Sequence, residues 1–124
     1  MRIINSDQAP KAIGPYSQAI RAGDVIYTSG QIALDPATGA LVEGDFAAQA
    51  NRVFENLKAV LAAGGATFAN VAKATVYLTD LANFATLNEI YASYFGDTKP
   101  ARTTVGVAQL PKGGLVEIDL VAIV

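Results

Sequence analysis

Apolar positions recur along this chain with two different periods, and the changes from one period to the other mark out its elements. From Val71 to Thr79 the period is two. Ala74, Val76 and Leu78 take one side and Lys73, Thr75 and Tyr77 the other, which predicts a half-buried strand. Val116 to Ile123 alternates in the same way, opposing Val116, Ile118 and Leu120 to Glu117, Asp119 and Val121. Pro100 turns its predecessor away from helix and opens a third such run, in which Arg102, Thr104 and Gly106 face away from Thr103, Val105 and Val107. Near the start, residues 2 to 5 predict a short strand. Tyr16 to Ala22 reads as extended and Val25 to Ile32 as rich in β-formers, with Gly23-Asp24 as the hairpin turn between them. Gly30, inside the second of these, predicts a bulge or a close backbone approach.

Two stretches carry the longer, helical period. Asp45 is placed to cap a helix running to Ala63, whose stripe is Ala47, Ala50, Val53, Phe54, Leu57, Val60 and Leu61 and whose stop is Gly64-Gly65. Gln49, Arg52, Glu55 and Lys58 fall on its wet side. Asp80 precedes a second helix, with Leu81, Phe84, Leu87, Tyr91, Tyr94 and Phe95 as its stripe and Gly96-Asp97 as its end. The order is strands, helix, strand, helix, two strands. That order predicts an α+β fold, a mixed β-sheet with two helices packed on one face, in one domain spanning residues 1–124. Two helices cover only one face of the sheet. The other, carrying Thr75, Tyr77, Thr104, Val121 and Tyr27, lacks the charge of a plain solvent face and is expected to be buried between subunits of a homo-oligomer.

Composition narrows the chemistry. Hydrophobic residues make up 52% of the 124, enough for a real core. Nine Lys and Arg against 11 Asp and Glu give a net charge of -2 with no basic cluster, so nucleic acid is not an expected partner. The chain has neither cysteine nor histidine. Disulfides, thiolate catalysis, Cys-based zinc sites and Ser-His nucleophiles are thereby excluded, and acid–base work falls to a carboxylate, Tyr, Lys or water. The acids are too dispersed for a carboxylate metal site, and no phosphate-binding or dinucleotide fingerprint is present. With no signal peptide and no apolar run near 18 residues, the expectation is a soluble intracellular protein, without a membrane partner.

Several side chains stand out. Arg102 opens a strand face of small residues, which leaves its guanidinium room to fork onto a carboxylate; a strand-end arginine that reaches solvent or an acidic neighbour fits the same pattern. Glu117 has apolar neighbours on both sides, a setting that desolvates a carboxylate and suits it to exchange protons with water, although an exposed or edge-blocking charge is the plainer reading. Asp119 reads as the more solvated of the two. Tyr16 follows a Gly14-Pro15 turn that could set a phenol beside a ligand, although such a Tyr more often packs at a domain edge; Ser29-Gly30 offers a hydroxyl and approachable backbone N–H groups, although a strand bulge without a ligand fits the pattern slightly better. Asn88 interrupts an apolar stripe and needs a partner if buried.

Taken together these residues resemble the RidA/YjgF family of reactive intermediate deaminases, also known as endoribonuclease L-PSP and as translation inhibitors. The likeness runs through Ala12 to Gln18, Thr28 to Ile32, Lys73 to Leu78 with Asp80, Phe84 with Asn88 and Tyr91, Pro100 to Arg102, Leu110-Pro111 and Glu117-Ile118. The resemblance implies a chorismate-mutase-like fold, a cytoplasmic homotrimer with sites in clefts between subunits, and no cofactor or metal. It also implies hydrolysis of 2-imino acids such as 2-iminobutanoate and 2-iminopropanoate, released by pyridoxal-phosphate-dependent dehydratases, to 2-oxo acids and ammonia. On this likeness Arg102 clamps the substrate carboxylate, Glu117 positions water, and Tyr16, Ser29, Gly30, Asn88 and Thr104 line the site. The chain departs from the commonest pattern, which has Ser-Cys at Thr103-Thr104 and often Glu and Arg at Gly106 and Gln109. Loss of the thiol at Thr104 bears on substrate preference more than on reaction type. A non-catalytic binder of 2-oxo acids is the alternative, and a ribonuclease fits worse, for want of histidine and of a phosphate-binding patch.

Overall fold

A computed structural model describes all 124 residues. The strands are β1 (Arg2–Ile4), β2 (Ala19–Ala22), β3 (Val25–Thr28), β4 (Val71–Leu78), β5 (Ala101–Gly106) and β6 (Val116–Ile123); the helices are α1 (Phe46–Ala63) and α2 (Phe84–Phe95). All six strands form one sheet in the order β1-β2-β3-β6-β4-β5. Every neighbouring pair is antiparallel except β4 and β5, which are parallel and joined through α2. This is the expected mixed sheet, chorismate-mutase-like, with both helices on one face.

Period-two patterning fixed the two longest strands because each has one face in the core. In β4 and β6 alternate residues are buried, and Ala74 faces Leu120, Val76 faces Ile118 and Leu78 faces Val116 across the ladder. Those side chains, with Ile26 and Ala122, meet the buried stripe of α1 in one core of 24 residues. Fully buried Phe54 of α1 stacks on Tyr94 at 4.7 Å and meets Phe68, Tyr91 and Phe95 edge-on, so α2 is tied to α1 by rings. The Asp45 side chain accepts from the Ala48 N–H, closing the first turn of α1 as its residue type predicts. At the other end Gly64 lets the helix close onto the sheet. A Cβ there would stand 2.8 Å from Ile4 and 2.9 Å from Ile26.

Three expectations are corrected. Gln49 is buried, not wet, because its Oε1 accepts the N–H of Leu115 from the loop before β6. Thr104 lies on the helix-covered face, where the parallel register pairs it with Val76, and Thr103 takes its place on the open face beside Thr75. The stripe of α2 is buried only in part: Leu87 and Phe95 are enclosed, while Leu81, in the short turn before the helix, and Phe84 are exposed. The first extended segments are also shorter than predicted. β2 begins only at Ala19, and after β3 the chain keeps contact with the sheet through a single bridge, Gln31 to Ile118.

Candidate active site

The candidate residues form two separate groups. Tyr16, Ser29, Gly30 and Glu117 line one cavity of about 550 Å³. Arg102 and Tyr91 line another, of about 200 Å³, at the opposite side of the sheet. Register explains the separation. Arg102 pairs with Ala74, which points into the core, whereas Glu117 pairs with Tyr77 on the open face, so one sheet holds the two side chains back to back.

The Glu117 group is built by backbone. Gln31 and Ile118 exchange both main-chain hydrogen bonds, at 2.9 and 3.2 Å, which brings the preceding residues Gly30 and Glu117 side by side. A Cβ on Gly30 would lie 2.8 Å from the Glu117 carboxylate, so the glycine is there because the carboxylate is. No main-chain acceptor of the chain takes the Gly30 N–H, which leaves it available to a ligand. The Ser29 hydroxyl donates to the Ser17 carbonyl at 2.6 Å, and the Ser29 N–H donates to Gln18 O at 2.9 Å. Ser29 therefore ties the 16–18 segment to the end of β3, and only its lone pairs face outward. Gln18 is buried and holds the N-terminal loop: its Oε1 accepts from Ser6 N–H at 2.6 Å and its Nε2 donates to Pro10 O at 2.8 Å. The Tyr16 phenol accepts from the Ile13 N–H at 3.3 Å while the side chain stays exposed. Burial, then the charge of Asp119, holds the Glu117 carboxyl above the usual carboxylate range.

The Arg102 group is built by side chains. The guanidinium carbon lies 4.8 Å from the Tyr91 ring centroid and 5.5 Å from that of Phe84, two rings spaced two helical turns apart on α2. Stacking of this kind steadies an arginine and leaves the N–H groups at its rim free for a planar anion. Three buried polar atoms of the molecule lack a hydrogen-bond partner: Asn88 Oδ1, Tyr91 OH and Thr104 Oγ1. All three belong to α2 or β5, the elements that carry Arg102 and the rings against it. Burial pushes the Tyr91 phenol up, and the neighbouring guanidinium pulls it the other way.

Sequence reasoning passed over four residues here. Phe84 and Tyr91 were read as core, although their spacing also puts them on one helix face. Lys11 and Lys112 line the Glu117 cavity, and Lys112, at φ 57°, is the one non-glycine residue in the left-handed region. Being isolated lysines in loops, they carry no pattern. No three acids stand together as a metal site would require, and no helix is long and apolar enough to cross a membrane.

A mixed six-stranded sheet with two helices on one face defines the class of fold. Residues 6–124 match the Endoribonuclease L-PSP family, and the chain belongs to that family, the RidA/YjgF proteins. Among its relatives, Protein DfrA of Myxococcus xanthus is 58% identical over 98% of this chain and 95% of its own. A Homo sapiens protein named 2-iminobutanoate/2-iminopropanoate deaminase is 49% identical over 98% of this chain and 89% of its own. The crystal structure of RidA from the Antarctic bacterium Psychrobacter sp. PAMC 21119 superposes with a TM-score of 0.96 at 47% identity, covering all of both chains.

Proposed function

We propose that this chain acts as a single RidA-like domain that hydrolyses small 2-imino acids, of the 2-iminobutanoate and 2-iminopropanoate kind, to 2-oxo acids and ammonia. Each site is completed between neighbouring copies in a homotrimer. The observation that carries the reading is the division of the site: an aromatic-backed arginine on one face and a desolvated carboxylate against a glycine on the other, each half of a binding pocket. Ile3, Tyr27, Val105 and Ile123 are exposed on the helix-free face, apolar surface that a partner would cover.

In the assembled site Arg102 of one copy forks onto the substrate carboxylate. Asn88, Tyr91 and Thr104, whose polar atoms lack partners within the chain, border that carboxylate or the water around it. The neighbouring copy supplies Glu117, with the Gly30 N–H, Ser29 and Tyr16 around the reacting carbon. Glu117 takes a proton from water as the oxygen adds to the C=N carbon, giving a carbinolamine, and returns the proton to nitrogen. The C–N bond then breaks as Glu117 takes the hydroxyl proton and passes it to the departing ammonia, so that the carbonyl forms and ammonium leaves. A protonated imine is already electrophilic, so orientation of water and substrate supplies most of the acceleration, and histidine is not needed. The imines themselves arise when pyridoxal-phosphate-dependent dehydratases eliminate water from hydroxy amino acids, which makes those enzymes functional partners.

The test is complementation. Arg102→Ala and Glu117→Gln copies, each inactive alone, are co-expressed with different tags and the mixed trimers isolated. A site spanning two copies finds both native residues at about one interface in three of a mixed trimer, so the isolated mixed trimers should regain about a third of wild-type imine hydrolysis. No recovery in folded mixed trimers would rule out a shared site.

A further inference from the structure

Glu117 has a carboxylate neighbour that the proposed reaction does not use. Asp119 points the same way from β6, about 6.6 Å further along the strand. Tyr77 of β4 stands directly across from Glu117 and reaches diagonally past it, its hydroxyl donating to Asp119 Oδ2 at 3.0 Å. This hydrogen bond, between a half-buried phenol and a half-buried acid, fixes where the Asp119 charge sits. Gly30 is packed against Glu117 as well, so the glutamate is wedged between a loop backbone and this pair.

We infer that Asp119, anchored by Tyr77, is a positioning residue that holds its carboxylate beside Glu117 and so strengthens Glu117 as the base that takes a proton from water. The inference rests on the reading of Glu117 as the base. The surroundings single out Asp119. From β4, Tyr77 and Lys73 face this region, and the Lys73 ammonium is engaged by Thr103 Oγ1 at 2.8 Å. β5 presents Thr103 and Val105, uncharged, and β3 presents Tyr27, opposite Val121. Lys11, Tyr16 and Lys112 face Glu117 from the cavity wall, with Lys112 Nζ donating to Gly39 O at 3.3 Å. Asp119 is thus the one carboxylate that shares this face with Glu117, and it opposes the lysines. Burial, and then the charge of Asp119, raises the proton affinity of Glu117; burial, and then the same two acids, raises that of Tyr77, so the phenol stays a donor. A stronger carboxylate base abstracts a proton from water more readily, so long as the pH keeps it ionised.

The test compares wild type, Asp119→Asn and Tyr77→Phe by two readouts. One is the acid limb of the pH profile of kcat/KM with an enzymatically generated imine. The other is the side-chain carboxyl ¹³C titration of the labelled glutamates, of which the chain has four, with Glu117 identified by its loss in Glu117→Gln. Asp119→Asn should move both midpoints down by about half a pH unit, the size expected for charges at this separation in a wet environment. Tyr77→Phe should move them the same way by less. An unmoved Glu117 titration in folded Asp119→Asn would overturn the inference. If that titration moves but no variant hydrolyses an imine, the charge coupling stands and the deaminase reading fails. If hydrolysis proceeds with neither midpoint moved, the deaminase reading stands and this inference fails.

Discussion

The two groups of candidate residues are held in place in different ways. Around Glu117 the main chain does the positioning: a two-way bridge between Gln31 and Ile118 sets Gly30 against the carboxylate, and Ser29 and Gln18 hold the loops in place. Around Arg102 the main chain supplies only an edge strand, and the guanidinium rests on rings from α2 with unpartnered polar atoms nearby. A site fixed by backbone tolerates few shape changes, whereas a site fixed by stacking tolerates changes of polarity but not loss of the rings or the charge. The Glu117 group is therefore tuned by geometry and the Arg102 group by composition.

Substitutions on the two sides should separate accordingly. Arg102→Ala removes a charged, bidentate clamp, and a loss of about 3 kcal/mol or more is expected, at least ~10²-fold in kcat/KM, with the circular dichroism unchanged. Retained turnover would mean that the rings alone hold the substrate. Glu117→Gln should lower kcat by about 10²-fold while binding of a 2-oxo acid product, followed calorimetrically, changes little. Equal losses in both would remove the water-activating role. Because the Glu117 carboxyl is held above the usual range, wild-type activity should fall on acidification at a pH above that of an ordinary carboxylate. Stability follows the opposite sign: the folded state holds this proton more tightly than the unfolded chain, so Glu117 favours folding at low pH and loses that contribution as pH rises. Glu117→Gln should then be the more stable of the two at neutral pH.

Gly30→Ala sharpens the contrast further, since its methyl would overlap the carboxylate at the flexible end of Glu117. The protein should fold and the carboxylate should move, lowering kcat by about 10-fold, a size that displacement of a catalytic group readily produces. Thr104→Val is expected to have the smallest effect. The hydroxyl has no partner within the chain, so its removal should leave stability unchanged or raise it by up to about 1 kcal/mol in chemical denaturation. Weaker binding of 2-oxo acids by the same variant would show that the hydroxyl serves the ligand.

Much of the fold was legible because alternation is a direct print of burial. β4 and β6 were found nearly to the residue, since each has one face in the core, and α1 was framed by Asp45 and Gly64. Gln49 and Thr104 were misplaced for the same reason as each other. Neither burial is a matter of hydrophobicity: one is caused by a distant N–H at Leu115 and the other by the parallel register against Val76. The identities of Arg102 and Glu117 were readable, but their opposition across the sheet emerged only from how the strands pair. Residues on one chain that never meet look like one site in a sequence.

The strand order has a consequence for synthesis. β6 is made after the other five strands, yet it lies in the middle of the sheet, between β3 and β4. Before it leaves the ribosome, the hairpin side (β1 to β3) and the crossover side (β4, α2, β5) share no strand ladder, and each exposes an unpaired edge. Arg102 can reach its rings within the second of these pieces alone. Glu117 rides on the joining strand itself, so its carboxylate reaches Gly30 only as the two pieces are zipped together.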